Sequence, residues 1–310
     1  GLKDVSTFYQ HAMINHSYIE GAYRFVDGSM QVSLELINVI RKNGGTVLNN
    51  SEVTRIIVEN EKVQGVIING EERLESESVI SGIHPKRMLE ILDKSRSIKN
   101  AYISRISSLE NTYGIFTLYL VMKKKSLPYQ NRNLYLHGDN EVWYDKQQYP
   151  GQTTNCMISM QASSEDSQYA GIVSILTPMY MNELSEWKDT APERRGESYR
   201  KFKREKAQQI LRFIQEHGID FSDYIEEIHT TTPLSYRDYT GTEEGSAYGI
   251  IKDYKCPQIG FVSTRSRLGN LFLTGQNLNV HGALGVTLTA MLTCAEFVGQ
   301  EYLAKKVGNA

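Results

Sequence analysis

Up to about residue 82, apolar positions recur at mixed periods. Met30, Leu34 and Ile37 with Val32, Leu36, Val39 and Ile40 fall on one broad side at helical spacing. Ser29 stands before them as a capping residue and Asn43-Gly44-Gly45 after them as a stop, so a helix is predicted. A strand follows at 46–48. Residues 53–58 and 63–68 then alternate apolar and polar about Glu59-Asn-Glu-Lys62, the signature of a hairpin. The segment 72–77 is polar and expected at the surface, and Val79-Ile-Ser-Gly82 is a short strand closed by a glycine. Helix, strand, β-meander and strand make a crossover unit with a small antiparallel insert.

From residue 113 the pattern changes. Segments 113–122, 133–144, 153–159 and 172–177 are β-branched or aromatic and separated by polar turns, as in an antiparallel sheet. Residues 193–217 read as a long charged helix with Phe202, Ile210, Leu211, Phe213 and Ile214 on its buried stripe, closed by His217-Gly218. Its basic residues, Arg194, Arg195, Arg200, Lys201, Lys203 and Arg204, are interleaved with glutamates and predict a solvated face. Near the C-terminus, Leu271-Phe-Leu-Thr-Gly275-Gln-Asn-Leu-Asn-Val-His281-Gly282-Ala-Leu-Gly285-Val286 reads as an apolar strand ending at Gly275, a polar loop, and a helix opening near Gly285. A helix N-terminus with glycines beside it suits an anionic cofactor phosphate. By spacing alone, glycines 275, 282 and 285 can equally serve tight packing.

Composition sets the class. The chain has 310 residues, 40% hydrophobic and 23% charged, with a net charge of −2: an ordinary globular chain with no basic excess for nucleic acid. Its longest apolar runs, 115–122 and 171–181, are far short of the roughly 20 residues a bilayer needs. Cys156, Cys256 and Cys294 are widely spaced, which fits a reduced, cytoplasmic setting and offers no metal-site spacing. The 19 tyrosines, against 9 phenylalanines and 2 tryptophans, can wall an apolar pocket while keeping polar tips for orientation.

Taken in order, Gly28-Ser29 and its helix, Gly44-Gly45-Thr-Val-Leu-Asn-Asn-Ser-Glu-Val53, the hairpin, Val79-Ile-Ser-Gly82-Ile-His-Pro85 and the loop Thr274-Gly275-Gln276 to Gly285 resemble the phytoene desaturase-like FAD oxidoreductases. The similarity is nearest to the carotenoid isomerase and retinol saturase branch, where Asn15-His16-Ser-Tyr-Ile-Glu-Gly21, Thr232-Pro233-Leu-Ser-Tyr236 and Gly245-Ser-Ala-Tyr248-Gly249 also find counterparts. The resemblance implies a mixed α/β fold in two domains. One is part of a Rossmann-like FAD-binding domain, residues 1–105 and 255–310, with a β-meander; the other, 106–254, is an antiparallel-sheet substrate domain with helices.

One departure is informative. Members of the family hold the FAD diphosphate on a GxGxxG turn, and this chain has none. The expectation is therefore a fragment that begins downstream of that half, inactive alone, with an apolar surface that self-association could cover. The resemblance implies that Val53 lies against the adenine, that Ser81 and Gly82 line the cofactor channel, and that Gly275, Gln276, Gly282, Gly285 and Val286 meet the diphosphate, ribityl chain and flavin edge.

The implied activity is an FAD-dependent oxidoreductase acting on C=C bonds of an isoprenoid polyene, reducing, desaturating or isomerising it. The flavin would carry the chemistry. His281, Tyr236 and Tyr248 are the candidate proton donors, each with a plainer structural reading as loop hydrogen-bonder or pocket wall. Two alternatives stand beside this: an amine-oxidase-like flavoenzyme with an aromatic cage, and a non-catalytic module for an apolar ligand or partner chain. A lipophilic substrate also suggests peripheral membrane contact through 172–187, with Tyr180, Met181 and Trp187.

Overall fold

A computed structural model describes residues 23–26, 28–138, 151–253 and 255–308, together with Asn15. The 15–21 motif, apart from Asn15, and the second half of the 133–144 segment lie outside the described residues.

Helix α1, Met30–Lys42, forms where the apolar spacing places it and ends at Asn43, whose side chain donates to the Val39 carbonyl. Ser29 precedes it but makes no side-chain cap bond; Gln31 instead donates to the carbonyls of Val26 and Gly28. None of its residues is buried, and Met30, Leu34, Leu36 and Val39 are all exposed. The predicted strand at 46–48 does not form among the described residues: these residues pair with no described strand, and Leu48 is exposed. Strands β1 (Val53–Glu59), β2 (Lys62–Ile68) and β3 (Glu72–Glu75) form the antiparallel meander. Its first turn has Asn60 at φ 50° and Glu61 at φ 60°, the two positive values of a type I′ turn. The Glu61 carboxylate accepts from Ser95 Oγ and the amides of Arg96 and Ser97, which brings its pKa down to about 2.

Strand β4 (Val79–Ser81) leaves the meander and leads into the short helix α2 (Pro85–Ile91), which α3 (Asn100–Ser107) follows. His84 explains the start of α2. Its Nδ1 accepts the Lys86 amide at 3.2 Å, so Nε2 carries the proton and donates to Asn111 Oδ1 at 2.9 Å.

Strands β5 (Gly114–Met122), β6 (Asn133–His137), β7 (Asn155–Ala162), β8 (Ala170–Met179) and β9 (Ile225–Thr231) form one antiparallel sheet in the order β6-β7-β8-β5-β9. Helix α4 (Gly196–Glu216) buries Tyr199, Ile210, Phe213 and Ile214 in the same core as Phe116, Leu118 and Leu120 of β5, while Phe202 and Leu211 are half-buried at its border. Most of its charges are solvated in exposed pairs such as Arg204 with Glu197. Arg195 departs from the expectation: it is buried against Asp238 of helix α5 (Pro233–Thr240). Within the 172–187 stretch, Tyr180 and Met181 are half-buried. Leu184 and Trp187 belong to this core, and the Trp187 indole N–H donates to Ser198. No helix among the described residues is long and apolar enough to cross a membrane.

A second core gathers Ile56, Val63, Met88, Ile106 and Leu109 with Ile250, Val262, Leu271, Leu273 and Leu278. After the single-turn helix α6 (Pro257–Gly260), strand β10 (Leu271–Leu273) pairs parallel with β4, joining residues far apart in sequence. Helices α7 (Gly282–Val298) and α8 (Gln300–Gly308) close the chain. The architecture is mixed α/β, with a meander, a parallel pair and an antiparallel sheet.

Candidate functional site

The parallel pair sets the site. Leu273 lies in register with Ser81, and the Thr274 amide donates to the Ser81 carbonyl at 2.9 Å, so both strands end at the same edge. Ser81, Gly82, Gly275 and Gln276 are thereby brought together. A side chain on Gly275, at φ 100°, would stand 3.3 Å from the Gly82 carbonyl; the glycine keeps the two strand ends close.

Helix α7 opens at Gly282, three residues earlier than the spacing suggests, with His281 as its N-cap. Gly285 sits within the first turn, and a Cβ there would lie 2.5 Å from the carbonyl carbon and oxygen of Val280. Only glycine lets the incoming loop fold this tightly over the helix start. The buried face of α7 then runs Gly285, Thr289, Thr293. Thr289 Oγ1 donates to Gly285 O, and Thr293 Oγ1 lies 2.9 Å from the carbonyls of both Leu273 and Thr289, tying the helix to β10. Its outer face is apolar and exposed, with Val286, Leu288 and Leu292.

The helix begins at the far end of the loop that leaves β10, with no side-chain cap on His281, while its later turn at Thr293 lies beside the end of β10. Ser81 Oγ, at the end of β4, and Asn277 Oδ1, in the loop and packed against Gly249, are buried without a hydrogen-bond partner among the described residues. Free amide donors, glycine-lined strand ends and two orphaned buried polar atoms are what a diphosphate or ribityl chain requires. The residues present fit that group. Val53 stands apart: it opens β1 in register with Ile68, and the hydrogen bonds of β1 run to β2, Asp93 and the Asn69 turn, not to the strand ends.

Of the candidate proton donors, His281 and Tyr248 come together, ring centroids 4.7 Å apart, while Tyr236 lies on α5 near Thr117. Burial, with the nearby Lys252 charge, lowers the His281 pKa and favours its neutral form; burial raises that of Tyr236. Lys252 itself carried no sequence signal. The side chain is half-buried, and its Nζ donates to the carbonyls of Gly260, Asn277 at 2.9 Å and Leu278 at 3.0 Å, pinning the loop between Gly275 and His281. Burial brings its pKa down to about 7.

Known structures share this arrangement at the level of the fold. An oxidoreductase from Methanosarcina mazei superposes with a TM-score of 0.51 at 16% identity, over 86% of this chain and 54% of that one. A putrescine oxidase variant redesigned in its cofactor binding gives 0.52 at 13% identity, over 92% and 54%. No protein-family model matches the chain.

Among curated proteins the similarity is more particular. The chain is 24% identical to all-trans-retinol 13,14-reductase of Danio rerio over 94% of its own length, and 22% identical to that of Rattus norvegicus over 93%. The resemblance to the retinol saturase branch read from the motifs is borne out. A Danio rerio protein named as an inactive all-trans-retinol 13,14-reductase is also similar, at 21% identity, so likeness of sequence and activity are separate matters. The chain spans about half the length of these relatives, 52% and 51% of the first two.

Proposed function

We propose that this chain contributes to an FAD-dependent oxidoreductase acting on a C=C bond of an isoprenoid polyene. The observation that carries the reading is the shared end of the parallel β4 and β10 pair, where Gly82 and Gly275 approach closely, followed by a glycine-containing loop into the uncapped start of α7. Gly275, Gln276, Gly282 and Gly285 would hold the phosphates and ribityl chain, with Val286 at the flavin edge; Val53 is assigned to the adenine on resemblance. When bound, the isoalloxazine supplies hydride transfer. The protein's part is to orient the substrate and exclude water: Tyr248 and the neutral His281 form a wall beside the helix start, and Lys252 fixes the loop that carries it.

In the same reading the domains divide as 1–105 with 255–310, and 106–254, and a dinucleotide-binding segment bearing GxGxxG completes the cofactor site. The exposed apolar sides of α1 and α7 support this. A parallel sheet of two strands is also short of what ordinarily stands alone, and further parallel strands beside β4 and β10 would complete it. The amine-oxidase-like alternative is less well supported, because the site rings meet edge-on or tilted and form no facing pair among the described residues. The test is anaerobic: the flavin absorbance of the FAD-loaded protein is followed on adding all-trans-retinol or putrescine, starting from reduced and from oxidised flavin. The reading expects a redox response to the polyene. A response to the diamine alone contradicts it.

A further inference from the structure

The parallel pair has a second edge. Successive residues of a strand turn their amides to opposite sides, so while the Thr274 N–H reaches Ser81 of β4, the Leu273 N–H donates to the Thr264 carbonyl at 2.7 Å. The extended segment 262–266 therefore covers the edge of β10 away from β4, and its Val262 N–H donates to the Leu278 carbonyl at 3.1 Å. Thr293 ties α7 to the same strand. Between the flank of α7 and this segment lies a pocket of about 240 Å³, whose wall includes Phe261, Val262, Asn279, Leu292, Ala295 and Glu296. Leu292, Ala295 and Glu296 share one side of the helix at i, i+3 and i+4 spacing. Strands added beside β4, as the reading above requires, leave this edge open.

The chemistry of the pocket is one-sided. Glu296 is the single charged residue of α7 and, among the described residues, the only charged one in the pocket wall. It stands in the last turn, where the helix's own partial charge is negative and a carboxylate is least favoured. Thr264 Oγ1 donates to its Oε1 at 3.1 Å and Arg265 Nε to its Oε2. A carboxylate offers about four acceptor positions, so others remain open. Arg265 is two-thirds exposed, where water screens its charge, and the Arg105 guanidinium is taken up by the carbonyls of Ile259 and Phe261. Asn279 adds a further acceptor, its Oδ1 buried without a partner among the described residues. These groups call for a donor, and the carboxylate at the helix end calls for a positive one. Phe261 and Leu292, each about half exposed, supply apolar surface beside them. An apolar cavity of about 150 Å³ admits benzene, so the pocket has room for one ring with a short arm.

We propose that this pocket binds a compact primary amine as its ammonium ion, with the cation on Glu296 and the apolar body against Phe261 and Leu292. The site lies across β10 from β4 and calls on neither flavin nor polyene, so the inference stands independently of the reading above. The test is calorimetric titration of the FAD-loaded protein, made from its complete coding sequence, with 2-phenylethylamine, 2-phenylethanol and phenylacetate. The amine is expected to bind about tenfold more tightly than the alcohol, as a hydrogen bond to a charged group would give, and the acid not measurably. Glu296→Gln is expected to bring the amine down to the affinity of the alcohol. Leu292→Arg, at a half-exposed position, sets a guanidinium beside Glu296 and is expected to abolish amine binding, with an unfolding midpoint within about 2 °C of wild type. Equal affinity for amine and alcohol, no binding of the amine, a preference that survives Glu296→Gln, or wild-type affinity in Leu292→Arg overturns the proposal. So does bleaching of the flavin by the amine, which would place it at the redox site instead.

Discussion

Gly285→Ala is expected to weaken FAD binding at least tenfold and to lower the stability of the fold by about 2 kcal/mol. The added methyl would lie 2.5 Å from the Val280 carbonyl, and both colliding atoms belong to the backbone, so no side chain can swing aside. The loop from Gly275 to His281 must lift from the start of α7. Gly269→Ala is the control, since nothing lies within 4 Å of its Cβ position, and its effect should stay within about 0.5 kcal/mol. Flavin titration and urea unfolding of both variants decide the matter. Wild-type FAD affinity in Gly285→Ala would mean that the glycine serves packing only.

The second large effect belongs to Lys252. Lys252→Met leaves three buried carbonyls, of Gly260, Asn277 and Leu278, without their donor. Each such loss costs roughly 1–3 kcal/mol, and relief from burying an ammonium offsets part of it, so a net loss of about 2 kcal/mol at neutral pH is expected. The pH dependence carries a sharper signature. With its pKa lowered to about 7 in the folded protein, against about 10.4 in the unfolded chain, the unfolded state binds more protons between those values. The wild type therefore gains stability as pH rises from about 7 to about 10, and Lys252→Met does not share that gain. Urea unfolding at a series of pH values checks it. Parallel curves for the two proteins would show that Lys252 stays charged throughout, held by its three carbonyls.

Local pattern made much of the fold legible. The meander, its Asn60-Glu61 turn and strands β5 to β8 of the large sheet follow from alternation and turn chemistry, which act over a few residues. Strand β9 was hidden because Ile225-Glu-Glu-Ile-His229 reads as polar, and its strand character comes from pairing with β5 at the sheet edge. The 46–48 strand fails for the converse reason: apolar residues alone do not make a strand without a neighbour. The apolar side of α1 was legible as a side, yet its exposure was not, since periodicity names the face and not what covers it.

At the candidate site, glycines and strand ends were readable because backbone approach demands particular residues at particular places. The meeting of Ser81 and Gly82 with Gly275 came through resemblance, and the parallel pair explains it. The onset of α7 was misplaced because Gly285, read as a boundary, is an interior position that must lack a side chain. Lys252 and the Tyr248 and His281 contact were beyond sequence reasoning. Both depend on tertiary approach across more than twenty residues, and neither has local spacing to announce it.

The most direct test of the account is the visible absorption spectrum after incubation with FAD and removal of free flavin, recorded for this chain and for the protein made from its complete coding sequence. The account predicts the two-banded spectrum of bound oxidised flavin in the complete protein and its loss in Gly285→Ala. Absence of bound flavin from the complete protein would contradict the account.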